Sequence, residues 1–285
     1  MARGTLYLVA TPIGNLEDIT LRALKVLKEA DLIACEDTRR TAKLLAHFGI
    51  STPRESYHEH NEASRTARLL DQLEQGKSVA LVSDAGMPLV SDPGSMLVSE
   101  CVRAGIPVVP VPGPSAVLAA LSASGLPAEN FYFAGFLPSK SAERRTRLVE
   151  LSGLPCTVVL YEAPHRLLAS LTDMVEILGA RNACLAREVT KVHEEWLRGT
   201  LPTILENLRT RDRILGEVTL VIDRGAPATA ILPPRGPIRE QVEEEMRFEG
   251  ISSKEALRAV ARRRGISRRE AYQMLLREKK PLSDT

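Results

Sequence analysis

From Thr5 to Leu121 short apolar runs alternate with amphipathic segments, and almost every run ends in a loop rich in Gly, Pro or Asp. This alternation restricts the fold more than any other feature. Strands that recur between helices assemble into a largely parallel sheet with helices on its faces. Thr5–Ala10, Leu32–Cys35, Ser78–Ser83 and Pro107–Val111 read as the strands. Leu21–Ala30, Thr41–His47, Ala63–Gln75 and Met96–Ala104 read as the helices, with a further helix opening at Ser115. Gly76 and Gly105 stop two of them.

The pattern breaks at Gly125–Ala128. Beyond it Phe131–Phe136, Thr157–Tyr161, Ala183–Arg187, Glu195–Gly199 and Val218–Ile222 read as strands, with helices at Arg144–Leu151 and Leu167–Leu178. Trp196 among charged residues suits an antiparallel ribbon, so a mixed sheet is expected. The reading is therefore an α/β domain over 1–124, a second over 125–225, a Gly/Pro linker over 226–237 and a helical module over 238–285. In that module Val242, Met246 and Phe248 mark one helix, Ala256 to Ala261 a second, and Ala271 to Leu276 a third. Ser252 with Glu255 and Ser267 with Glu270 fit capping boxes, and Gly265 sits in the turn between the last two helices. This is a helix-turn-helix pattern, with Arg262, Arg263, Arg264, Arg268 and Arg269 beside the turn.

Charge follows the same division. Residues 234–285 carry 13 Lys+Arg against 9 Asp+Glu, leaving 25 against 27 for the other 233 residues. A polyanion would meet the basic tail first. Cys35, Cys101, Cys156 and Cys184 are isolated among apolar residues, which fits buried reduced thiols in a cytoplasmic protein. No apolar run approaches a membrane span, and the N-terminal run is too short for a secretory signal.

Ligands of such sheets sit beyond the carboxyl ends of the strands. There the chain places Thr11-Pro12-Ile13-Gly14-Asn15, Glu36-Asp37-Thr38-Arg39, Ser83-Asp84-Ala85-Gly86 continuing to Asp92-Pro93-Gly94, and Pro112-Gly113-Pro114-Ser115-Ala116. No two of the 18 glycines are two residues apart, so no GxGxxG exists; Gly76-Lys77-Ser78 has Asp71 where a P-loop needs its first glycine, so no GxxxxGK[ST] exists either. Dinucleotide and triphosphate cradles are unsupported. Asp37, Asp84 and Asp92 suit a ligand with hydroxyls, amines or positive charge, such as a sulfonium nucleoside.

The runs TPIGNLEDIT, EDTR, SYHEHNE (Ser56–Glu62), SDAGMPLVSDPG (Ser83–Gly94), VPGPSA, YEAPHR (Tyr161–Arg166) and REVTK (Arg187–Lys191) occur in an order that resembles the ribosomal RNA small subunit methyltransferase I family. That family, of 16S rRNA cytidine 2′-O-methyltransferases, is a branch of the tetrapyrrole methylases. The likeness spans about Gly4 to Arg224. It implies two α/β domains of the tetrapyrrole methylase (class III methyltransferase) type plus the small C-terminal helix-turn-helix-like module. It also implies S-adenosylmethionine between the domains, 16S rRNA of the small ribosomal subunit as partner, and a homodimer. Cofactor contacts carried over by the resemblance are Pro12, Ser83, Asp84, Ala85, Gly86, Asp92, Ser115, Ala116, Tyr161 and Gly216.

A ribose hydroxyl is a poor nucleophile, so a base or a nearby cation is expected beside it. The candidates are His58, His60, Glu188 and Lys191, with Glu59 and Asp37 behind them. His58 and His60 stand two apart, as one side of a strand would present them, but no further metal ligands are visible and no metal is expected. Arg166, with Arg262, Arg263, Arg264 and Arg268, is the candidate for RNA phosphates; Arg166 could equally hold the cofactor carboxylate or simply start a helix.

Overall fold

Apolar runs with no polar alternation, such as Leu32–Cys35 and Val79–Val82, need cover on both faces. The computed structural model describes residues 3–224, 237–264 and 267–278 and divides at Arg224 into two units. In the first unit both runs are buried along their whole length. They are β2 (Leu32–Cys35) and β4 (Val79–Val82) of an all-parallel sheet with β1 (Leu6–Val9), β3 (Arg54–Ser56) and β5 (Val108–Val111), in the order β3-β2-β4-β1-β5. The two-residue period of a strand splits the side chains cleanly. Ile33 and Cys35 face α1 (Leu21–Glu29) and α2 (Thr38–His47) through Leu27 and Leu45. Leu32 and Ala34 face α3 (Glu62–Glu74) and α4 (Ser95–Arg103) through Leu69, Leu73 and Leu97.

The order has a functional consequence. β1 passes the chain to α1 on one face, while its neighbour β4 passes it to α4 on the other. The two connections part, and a crevice opens at the carboxyl ends of β1 and β4.

The second sheet consists of β6 (Phe131–Phe136), β7 (Thr157–Glu162), β8 (Asn182–Arg187), β9 (Glu195–Thr200) and β10 (Val218–Ile222), in the order β6-β7-β10-β8-β9. Only β6 and β7 run parallel, so the sheet is mixed; β8 and β9 form the antiparallel ribbon, with Ala186 opposite Trp196. One face carries α6 (Ser141–Ser152), α7 (Leu167–Leu178) and α8 (Leu201–Arg209). The other carries α5 (Ala116–Ser124), which leaves β5 of the first sheet yet packs Val117, Ala120 and Leu121 on Val159, Cys184 and Val221 of the second. This apolar helix ties the sheets together.

Two elements were not readable in the sequence. β3 is a three-residue edge strand bearing Arg54 and Glu55, so no apolar run announces it. α8 begins Leu201-Pro202, which reads as a break; Pro sits in the first turn, where its missing N–H is not needed, and Thr200 caps the helix by accepting from Thr203 N–H at 3.4 Å.

In the second unit α9 (Ile238–Glu249), α10 (Ser253–Arg264) and α11 (Arg268–Glu278) bury Ile238, Val242, Leu257, Val260, Ala271 and Leu275 together. The box at Ser267 is reciprocal: Glu270 accepts from Ser267 N–H at 2.8 Å, and Glu270 N–H donates to Ser267 Oγ at 3.2 Å. At Ser252 only half of it forms, because the hydroxyl donates to the Glu255 carboxylate at 2.6 Å instead of accepting from its N–H. Glu278, in the last turn of α11, accepts from the backbone N–H groups of Ile238 and Arg239 at 3.0 and 2.9 Å and so caps the first turn of α9. The side chains of Phe248, Arg262, Arg263 and Arg264, and Gly265 itself, lie outside the described residues, as does most of the expected linker.

No helix among the described residues is long and apolar enough to cross a membrane. Cys35, Cys101 and Cys184 are buried free thiols and Cys156 is half-buried. The second sheet also rests on a buried ion pair. Asp173 of α7 accepts from Nε and Nη2 of Arg144 at 2.7 and 2.6 Å and from Nη1 of Arg145 at 2.9 Å. Removing one member of such a pair strands the other charge. Asp173→Ala is expected to cost about 3 kcal/mol, read as a lower urea midpoint; a change under about 1 kcal/mol would show that the pair is dispensable.

Candidate active site

The loops at the crevice are fastened to each other before they line anything. Thr11 and Gly86 form an antiparallel bridge, with N–H···O distances of 2.9 and 3.0 Å, and Thr11 Oγ1 donates to the Ser83 carbonyl at 3.1 Å. Ser83 is buried and directs its hydroxyl at the carbonyls of Ala85 and Gly86, at 3.3 and 3.4 Å. The loop continues through Leu89 and Ser91, both left-handed at φ 72° and 68°. Its far end is held by Glu62, whose Oε1 accepts from Gly94 and Met96 N–H at 3.2 Å each and from the Tyr57 hydroxyl at 3.1 Å. The SYHEHNE run thus braces the SDAGMPLVSDPG run through its last residue.

A cavity of about 320 Å³ lies between these loops and the ends of the second sheet. The first sheet contributes Ile13, Ala85, Gly86, Asp92, Ser115 and Ala116 to its wall. The second contributes Tyr161 and Glu162 from β7, and Glu217 and Thr219 from β10 and the residue before it. Most of the remainder is apolar. Among the described residues no Lys, Arg or His lines the cavity, while Asp92, Glu162 and Glu217 do.

This one-signed wall perturbs its own groups. Burial, then the charges of Glu36 and Asp84, push the Asp92 carboxyl up to about 6, against a hydrogen bond from Ser83. Burial raises Glu36 as well, helped by Asp84. Tyr161 is pushed up to about 12 by burial and by the charges of Asp92 and Glu217; its ring packs on Phe133 and Phe136 at centroid distances of 5.0 and 5.4 Å. Glu162 is 2% exposed; its Oε1 takes Ala163 N–H at 2.7 Å and Arg166 Nε at 2.5 Å, and its Oε2 is buried without a partner.

Beside Glu217 stands a second strained loop. Glu188 and Thr190 have φ of 52° and 69° and, with Leu89 and Ser91, are the non-glycine residues with positive φ among the described residues. All four flank this one cavity, and strain of this kind persists only where neighbours over-determine it. Glu188 N–H donates to the Glu217 carbonyl at 2.9 Å, Glu217 N–H returns a bond to Glu188 Oε1 at 2.8 Å, and Lys191 Nζ bridges Glu188 and Glu217 at 2.9 and 3.0 Å. Gly216, at φ 91°, makes room: a Cβ there would stand 2.4 Å from Glu188 Cγ. Gly14 does the same across the crevice, where a Cβ would stand 2.3 Å from Lys191 Cγ. Burial pulls the Lys191 ammonium down, but its two carboxylate partners outweigh it and leave the pKa raised. Burial likewise opposes Glu188, whose carboxyl is nonetheless lowered by Glu217 N–H and Lys191. Lys191 is therefore a cation at neutral pH, not a base.

Of the residues expected at the cofactor, the structure gathers Ala85, Gly86, Asp92, Ser115, Ala116 and Tyr161 around the cavity. Pro12, Ser83, Asp84 and Gly216 stand behind the wall; Asp84 accepts from Asp37 N–H at 3.1 Å and pairs with Arg40 at 3.1 Å. Lys191 and Glu188 pair at the rim, but His58 and His60 do not join them. Those two lie in a turn, not a strand, 5.9 Å apart by ring centroid, with His58 Nε2 against Asn61. Arg166 is committed to Glu162 and its side chain is 18% exposed. Arg268 is exposed at the start of α11. Sequence reasoning did not single out Ile13, Glu162 or Glu217. Glu162 was within reach, inside the YEAPHR run; Glu217 carries no motif and is revealed only by the fold.

Residues 5–205 match the family model for tetrapyrrole (corrin/porphyrin) methylases. The chain is 48% identical over 280 residues to a protein of Halalkalibacterium halodurans named ribosomal RNA small subunit methyltransferase I, covering 97% of this chain and 96% of that one. Among solved structures it is similar to a uroporphyrin-III-C-methyltransferase from Thermus thermophilus, with a TM-score of 0.54 and 27% identity over 78% of this chain and 95% of that one. Another Thermus thermophilus structure of that enzyme, complexed with S-adenyl homocysteine, superposes with a TM-score of 0.55 at 22% identity, covering 76% and 97%.

Asp92 gives the wall a measurable cost. Its folded-state pKa lies above the ordinary value, so the folded chain holds this proton more tightly and loses stability as pH rises from about 4 to about 6. Asp92→Asn is expected to raise the melting temperature of the ligand-free chain by a few degrees at pH 7.5 and to leave it unchanged at pH 4. An equal effect at both pH values would remove the carboxyl charge as the cause.

Proposed function

The chain belongs to the ribosomal RNA small subunit methyltransferase I family, within the tetrapyrrole methylases, and from that premise we propose that its cavity binds S-adenosylmethionine and serves 2′-O-methylation of a cytidine ribose in 16S rRNA. One observation carries the reading: among the described residues the wall holds Asp92, Glu162 and Glu217 and no cationic side chain. A pyrophosphate would face carboxylates with no cation in the wall to meet it, whereas a sulfonium cation is attracted. Glu162 Oε2, buried without a partner, is an acceptor open to the donor. The similar fold that holds S-adenyl homocysteine supports the same site.

The residues present fit the donor. Asp92 and Glu162 would face its positive and hydrogen-donating groups. The start of α5 at Ser115 and Ala116, the positive end of the helix dipole, suits its carboxylate. The apolar wall excludes water and strengthens each of these interactions. Bound there, the donor supplies a methyl group made electrophilic by the adjacent positive sulfur. The protein's own contribution is positioning: the Thr11–Gly86 bridge and the Glu62 brace hold one wall, and the Glu188 clasp holds the other.

For RNA, the exposed Arg268 and the basic composition of 234–285 supply phosphate contacts, together with Arg262, Arg263 and Arg264. Recognition of the 2′-hydroxyl distinguishes RNA from DNA. Homodimerisation completes the proposal, and exposed Phe131 on the edge strand β6 is available to it.

Two measurements test the reading. Labelled methyl should pass from S-adenosylmethionine to small-subunit RNA and not to a porphyrinogen; the reverse preference would defeat the RNA assignment. The bound positive charge should lower the pKa of Asp92, so donor binding releases a proton. Calorimetric affinity for S-adenosylmethionine should then rise between about pH 5 and pH 7, more steeply than that for S-adenosylhomocysteine, which lacks the sulfonium charge. Parallel curves would refute a charge-selective cavity.

A further inference from the structure

We infer that Glu217 is the group that accepts the proton of the acceptor hydroxyl, and that Glu188 and Lys191 are the residues that aim it. The inference rests on the methyltransferase reading above. It begins with access. Among the described residues three carboxylates line the cavity, and Glu217 is the most open of them to an incoming macromolecule. Glu162 has no exposed side-chain surface and already holds Arg166. Asp92 is half-buried, so it is less open to an incoming macromolecule than a rim residue. The Glu217 side chain is 71% exposed at the rim, yet it also lines the cavity.

This exposed carboxylate has partners that place it. Its backbone is gripped from both sides by Glu188, and its carboxylate is tied to Lys191 Nζ at 3.0 Å. Lys191 is anchored in turn to Glu188. The grip requires a strained, left-handed Glu188 and a glycine at 216, where any Cβ would collide with the Glu188 side chain. Lys191 itself cannot take a proton, because its partners keep it charged.

The chemistry balances with a carboxylate. As the ribose oxygen forms its bond to the methyl carbon, the carbon–sulfur bond breaks and its electron pair stays on sulfur, leaving a neutral thioether. The oxygen becomes oxonium-like and strongly acidic, so a carboxylate is basic enough to take its proton, which then passes to water. Positioned proton transfer of this kind contributes on the order of 100-fold or more.

The experiment compares wild type, Glu217→Gln and Glu217→Asp in the full chain. The readouts are calorimetric affinity for S-adenosylhomocysteine, melting temperature, affinity for small-subunit RNA, and turnover. Glu217→Gln is expected to lose about 100-fold or more in turnover, with S-adenosylhomocysteine affinity and melting temperature close to wild type. Glu217→Asp should recover part of the loss, since it restores the basic group at a shorter reach. Lys191→Met should lower turnover without changing S-adenosylhomocysteine affinity. Glu217→Gln turnover within threefold of wild type would overturn the inference. So would a loss of S-adenosylhomocysteine affinity that matches the loss of turnover, because Glu217 would then be a donor ligand. A wild-type chain that binds no S-adenosylhomocysteine would bring down the underlying reading; tight wild-type binding with an active Glu217→Gln brings down this inference alone.

Discussion

Neighbouring strands that send their connections to opposite faces leave a gap that the sheet cannot close. β1 and β4 are such a pair, and the rest of the site is a response to that gap. The Thr11–Gly86 bridge keeps the two loops from drifting apart, and Glu62 secures the far end of the longer one. The second sheet then closes the opening from the other side, with α5 as the shared helix that both sheets need. Because the wall is built from loops on rigid strands, its shape is set by backbone hydrogen bonds more than by side-chain packing.

Electrostatics follows from this construction. Loops that turn sharply favour Asp, Gly, Pro and Ser, so the wall acquires carboxylates and lacks long cationic side chains. Arg40, Arg166 and Lys191 lie close by, but each is already bound to Asp84, Glu162 or Glu188. They leave the cavity itself negative while limiting the repulsion around it.

Much of this was legible in the sequence, and the failures have physical causes. The first sheet was visible because its buried strands are continuous apolar runs and its helices end at Gly76 and Gly105. The carboxyl-end loops followed from that alternation, and with them Ala85, Gly86, Asp92, Ser115 and Ala116. β3 was hidden because an edge strand of three polar residues has no hydrophobic period. His58 and His60 misled because spacing of two implies one side of a strand only where a strand exists. Glu217 was hidden for a different reason: its importance lies in contacts with Glu188 and Lys191, nearly thirty residues distant in sequence. Local pattern carries the frame, while tertiary contacts carry the assignment of tasks within it.

The C-terminal unit shows how far such contacts reach. Glu278 closes three helices into a loop by serving as the starting cap of α9 from the end of α11. Fraying at its last turn would therefore release its first turn as well, so the two extremities of this unit share one fate. A small bundle joined in this manner behaves as a single cooperative latch, with no helix able to melt at leisure while the others stand.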